Sequence, residues 1–82
     1  MPRATLLVVD DDSIILDLLR RTFDPHYHVH TAASGEEGLR VLAAHRIDLL
    51  ITDQKMPGMT GLDLIAEGRK LQADLQAPFK TQ

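Results

Sequence analysis

The sequence predicts an α/β fold, a doubly wound parallel sheet with helical crossovers. Three observations carry that reading. Short aliphatic runs alternate with helix-period segments in the order β-α-β-α-β-α, and the connections between them are short. The run Thr5 to Val9 (TLLVV) has no polar alternation, which suits a strand buried on both faces. Two such runs stop on an acid, "LLVVDDDS" at Asp10 and "LLITDQKMPGMTG" at Asp53.

The elements follow in chain order. After Thr5 to Val9, helical spacing begins at Ser13, with Ile15, Leu19 and Phe23 in register and Ile14 and Leu18 beside them. Asp24-Pro25 ends this helix, because proline disfavours helix in the residue before it. "YHVHT", residues 27–31, alternates and predicts a second strand. Ser34 to Glu37 has the S-x-x-E form of a capping box, so a second helix should follow with Leu39, Leu42 and Ala43 inward and His45 at its end. Asp48 to Thr52 is the third strand. Thr60 can cap a third helix that presents Leu64, Ile65 and Leu71, and Gly68 should weaken it by up to about 1 kcal/mol relative to alanine. Residues 72–82 form a tail of different character. A fourth strand near Phe79 is the expectation there, although Pro78 and Lys80 are poor residues for a central strand.

Bulk properties bound the function. At 82 residues the chain is one small domain, a size that buries only about 60% of the unfolded surface. Its 44% apolar and 26% charged residues describe an ordinary globular chain. The net charge is −3, with three consecutive acids at Asp10 to Asp12, which argues against direct nucleic-acid binding. Arg20-Arg21 is a basic pair and reads as the solvated end of a helix. With no cysteine there is neither a disulfide nor a thiolate metal site. No apolar run is long enough for a signal peptide or a membrane span, so a cytoplasmic location is expected.

In a parallel sheet every strand ends on one edge. If the first and third strands are neighbours, as in the order 2-1-3, Asp10 and Asp53 meet at the topological switch point where ligands bind. Two unit charges about 4 Å apart cost roughly 4 kcal/mol at an effective dielectric of about 20, so converging carboxylates call for a cation. Mg2+ suits them, as a hard ion taking one or two carboxylates, a carbonyl and waters. The loop after Asp53 can offer that carbonyl, with Pro57-Gly58 making a tight turn. Such a site suits phosphoryl transfer, in which one aspartate acts as nucleophile. His26, His28 and His30 alternate as zinc ligands can, yet without cysteine or a nearby acid they read as the polar face of a sheet-edge strand. Met56 and Met59 read as loop packing.

These residues resemble the receiver domains of two-component response regulators. "LLVVDDDS" resembles their first strand with its acidic pair, "LLITDQKMPGMTG" their phosphoacceptor strand and D-x-x-M-P-x-M-x-G loop, and "AASGEEGL" the start of their second helix. The match covers Thr5 to Leu71. It implies a flavodoxin-like receiver order, 2-1-3 with a fourth strand beside the third, and a receiver domain over residues 1–82 lacking its C-terminal part. It implies Asp53 as phosphoacceptor, Asp10 and Asp11 as the Mg2+-holding pair with Asp11 the direct ligand, and the Lys55 carbonyl as backbone ligand. Asp12 matches a variable position and reads as a helix-capping or solvated acid. The implied partner is a histidine kinase or phosphotransfer protein, and the implied activity is at most self-phosphorylation. Family members run on through a fourth strand ending in a switch Ser or Thr and a fifth ending in Lys. Here Thr81 falls near the switch position, and Lys55, Lys70 and Lys80 do not match the second. An open sheet edge and the tail after Leu71 predict a homo-oligomer. Two other readings compete: a degenerate receiver acting as an interaction module, and a haloacid-dehalogenase-like phosphatase with Asp10 as nucleophile and Asp12 as acid/base.

Overall fold

A continuous aliphatic strand belongs in the middle of a parallel sheet, and that is where Thr5 to Val9 lies. The computed structural model describes residues 3–77. The elements are β1 (Thr5–Val9), α1 (Ser13–Phe23), β2 (His28–Ala32), α2 (Gly35–Ala44), β3 (Leu49–Thr52) and α3 (Gly61–Leu71). The sheet order is β2-β1-β3 and both pairings are parallel. The chain therefore leaves β1 in one direction and returns on its other side, which opens a crevice beyond the carboxyl ends of β1 and β3. No helix among the described residues is long and apolar enough to cross a membrane.

Register assigns the faces. Leu6 pairs with Leu49, Leu7 with Leu50, Val8 with Ile51 and Val9 with Thr52. Side chains alternate along a strand, so Leu7, Val9 and Leu50 share one face, where Leu42, Ile47, Leu64 and Leu75 complete the core. Leu6 and Val8 point to the other face, toward α1, and are fully buried. The cover there is thinner. No residue of α1 is buried, Ile14 is 79% exposed and Leu18 60%.

Local chemistry explains each helix boundary. Asp12 caps α1, its carboxylate accepting from the Ile14 N–H at 2.9 Å. Ser34 caps α2, accepting from the Glu37 N–H at 3.1 Å, but the Glu37 carboxylate turns to the Ala33 N–H and the expected capping box does not close. A closed box forms instead at α3, between Thr60 and Asp63. His45 ends α2 as expected, and the Gln72 side chain satisfies the orphan groups there. Its amide donates to the carbonyls of Leu42 (2.8 Å) and His45 (2.7 Å), and its oxygen accepts from the Ile47 N–H (2.9 Å).

Packing rotates α2 away from the expected orientation. Its buried line is Gly35, Gly38 and Leu42, Leu39 is partly buried, and Ala43 is exposed. On α3, Leu64 is buried and Ile65 partly so, while Leu71 is 52% exposed. Gly68 is a close-approach residue: a Cβ there would lie 2.9 Å from Leu42 Cδ1 and 3.1 Å from Leu75 Cδ2. β3 starts one residue later than expected, because Asp48 uses its carboxylate to accept the Thr5 N–H at 2.8 Å.

After α3 the chain returns beside β3. Gln76 forms a parallel bridge with Leu49, and its carbonyl accepts from the Leu50 N–H at 2.8 Å. The expected fourth strand around Phe79, and Thr81 with it, lie outside the described residues.

Candidate functional site

Main-chain hydrogen bonds carry the ladder one residue past each strand. The Asp10 N–H donates to the Ala32 carbonyl at 3.1 Å, and the Asp53 N–H donates to the Val9 carbonyl at 2.9 Å. Both acids are thereby held at the crevice. One carboxylate oxygen from each of Asp10, Asp11 and Asp53 lies within 4.8 Å of the other two. Among the described residues this is the one group of three or more His, Cys, Asp or Glu side chains close enough to share a metal ion.

Asp10 and Asp53 are partly buried and Asp11 is exposed. Burial pushes the Asp10 carboxyl above its usual range. A hydrogen bond accepted from the Asp12 N–H at 2.9 Å opposes the shift, and the charges of Asp53, Asp11 and Asp12 reinforce it. The Asp12 carboxylate is committed to the α1 cap and stands outside the cluster, as expected.

The loop after Asp53 is shaped by its own residues. Asp53 accepts from the Lys55 N–H at 3.3 Å, so the chain turns back on the acid at once. Gly58 adopts φ +82°, the left-handed conformation that the Pro57-Gly58 pair predicts. Met56 is buried and Met59 packs against the core, so both serve as loop anchors. Buried Thr52 donates its hydroxyl to the Asp53 carbonyl at 3.0 Å, which steadies the strand end.

The donor set fits a hard divalent cation. It is all oxygen, and it brings together three carboxylates whose mutual repulsion a cation would relieve. Sequence reasoning passed over Gln54, whose side-chain oxygen is buried without a hydrogen-bond partner immediately after Asp53. An amide in a polar loop carries no signal of that burial. His28 and His30 lie on β2 outside the cluster, and His30 stacks on His45 instead.

A strand-end acid cluster at the switch point of a β2-β1-β3 sheet, closed by a Met-Pro loop, defines a doubly wound domain of the receiver type. The chain belongs to the response regulator receiver domain family, which matches it over residues 6–81. It is 50% identical over 70 residues to the transcriptional regulatory protein GlrR of Escherichia coli K12, covering 84% of this chain and 16% of that protein. It is 40% identical over 68 residues to the hydrogenase transcriptional regulatory protein HoxA of Cupriavidus necator, covering 83% of this chain and 14% of that protein. The chain thus spans under a fifth of the length of these two relatives. Among solved structures, the response regulator TrrA of Thermotoga maritima in complex with Mg2+-BeF superposes with a TM-score of 0.83 at 37% identity, covering 90% of this chain and 65% of that one.

Proposed function

We propose that this chain is the phosphoacceptor module of a two-component response regulator, taking a phosphoryl group onto Asp53 from a histidine kinase or phosphotransfer protein. The observation that supports this best is the convergence of the Asp10 and Asp11 carboxylates on that of Asp53 within 4.8 Å. An Asp53 carboxylate oxygen attacks phosphorus, an O–P bond forms, and the P–N bond to the donor imidazole breaks. The product is a mixed carboxylic–phosphoric anhydride, and the imidazole leaves with its electron pair. The carboxylate is consumed, so the chain is a self-modified acceptor with no turnover of its own.

Asp10, Asp11, Asp53 and the Lys55 carbonyl would hold Mg2+, which supplies neutralisation of the phosphoryl oxygens. Asp10 and Asp11 gather that charge, and the Lys55 N–H orients the acceptor carboxylate. The phosphatase alternative is disfavoured, since it needs Asp12 as a free acid/base and Asp12 caps α1. A cytoplasmic setting and a protein partner, with no direct nucleic-acid contact by this chain, belong to the same reading, which the net charge of −3 supports.

A homo-oligomer formed through the sheet edge and tail is part of the proposal. Exposed Ile15 and Leu18 of α1 line one crevice with partly buried Ile51, an apolar face of the kind that recruits a second chain. Light scattering at micromolar concentration checks it, and a stable monomer would remove it. The site reading is tested by titrating beryllofluoride with Mg2+ and following the Asp53 and Lys55 amide resonances. A saturating, Mg2+-dependent response is expected, and no response would overturn the assignment.

A further inference from the structure

Two imidazoles meet between the middle of β2 and the end of α2, outside the carboxylate cluster. His30 on β2 stacks on His45 at the end of α2, with ring centroids 4.5 Å apart and planes inclined by 28°. The chain on both sides is held. His30 pairs with Leu7 in the sheet. The His45 N–H donates to the Val41 carbonyl at 2.9 Å, and its carbonyl accepts from Gln72. A stack of two neutral rings, or of one neutral ring and one cation, is attractive, whereas two imidazolium rings face to face repel.

The charged surroundings do not relieve that repulsion. On β2 the neighbour along the same face is His28, itself touched by the Arg3 guanidinium at 3.4 Å. At the end of α2 the next residue is Arg46, which pairs with Asp74. On β1 the partners of His28 and His30 are Thr5 and Leu7, neither of which titrates in this range. Burial first, then the charges of His45 and His28, hold the His30 imidazole below its ordinary value, and none of these influences comes from a carboxylate.

We propose that the His30–His45 stack is an acid-released clasp: neutral, it holds the last turn of α2 against β2, and protonation of both rings parts them and frees that turn. The direction follows from linkage. A depressed imidazole means that the closed form binds fewer protons than the open one, so closure is fully favoured above about pH 6.5 and weakens as pH falls below it.

The test is NMR on the whole chain between pH 8 and pH 5, reading the ring resonances of His30 and His45 and the exchange protection of the Ala44 and residue-45 amides. In the native chain, protection corrected for intrinsic exchange should fall at least about fivefold on acidification, the cost of two like charges at this spacing even in water. In His45→Gln the His30 titration should move up toward the ordinary range. In His45→Phe, which keeps a stacked ring without a proton, protection should hold through pH 5. Protection that is independent of pH in the native chain would overturn the proposal. So would an equal loss in His45→Phe, or a His30 titration unmoved in His45→Gln.

Discussion

Replacing Asp10 with Asn should make the metal-free protein more stable while weakening its response to Mg2+. Asp10 lies within 4.8 Å of both other carboxylates. At that separation each like-charge pair costs about 3.5 kcal/mol at an effective dielectric of 20 and about 0.9 kcal/mol in water. Asp10 is only partly buried and Asp11 is exposed, so solvent screening puts the net effect near the lower end, about 1 to 2 kcal/mol. The sign agrees with the raised Asp10 carboxyl. A folded-state value above the usual 3.8 means that stability drops as pH rises through the interval between the two, so ionised Asp10 is a burden at neutral pH. Asparagine keeps the oxygen that accepts the Asp12 N–H, so the turn into α1 survives. Thermal unfolding followed by circular dichroism in EDTA at pH 7.5 should show Asp10→Asn melting at least about 4 °C higher, from roughly 4–8 °C per kcal/mol for a domain of this size. Added Mg2+ should raise the native melting temperature more than the variant's. A variant less stable than the native chain in EDTA would refute the repulsion argument.

Three further outcomes follow from named contacts. Asp12→Ala should cost about 1 kcal/mol through the lost α1 cap and leave Mg2+ affinity close to native; if it bound Mg2+ worst among alanine variants of Asp11, Asp12 and Asp53, the pairing of Asp10 with Asp11 would be wrong. Gly68→Ala should fail to deliver the roughly 1 kcal/mol that helix propensity offers, because its methyl group must push Leu42 and Leu75 aside; a denaturant midpoint shifted upward by that amount would contradict the packing. Gln72→Ala removes three hydrogen bonds at the end of α2 and should destabilise by about 2 to 3 kcal/mol in chemical denaturation, and a loss below about 0.5 kcal/mol would mean that water replaces the side chain there.

The parts of the fold legible in the sequence are those set by local pattern. β1 shows itself because both its faces are buried, the Pro57-Gly58 turn because it needs a left-handed residue, and the Asp12 cap because a short acid precedes a helical repeat. The site was legible because parallel strands share an edge, so two strand-end acids imply convergence. What the pattern could not show depends on contacts distant in sequence. The approach of α3 at Gly68 turns Ala43 outward, and a glycine read locally is only a weakness. Glu37 chooses the Ala33 N–H over the helix cap, a competition between two nearby donors that S-x-x-E does not resolve. Gln72 and Leu75 sit in a stretch without periodicity, yet one closes α2 and the other completes the core.

The central claim is that Asp53 accepts a phosphoryl group in a site built by Asp10 and Asp11. Intact-mass measurement after incubation with a small acyl phosphate and Mg2+, followed by fragmentation to locate the adduct, tests it most directly. One added phosphoryl group on Asp53 is expected, lost in Asp53→Asn and on chelation of Mg2+. A phosphoryl group retained in Asp53→Asn, or found on Asp10, would contradict the account.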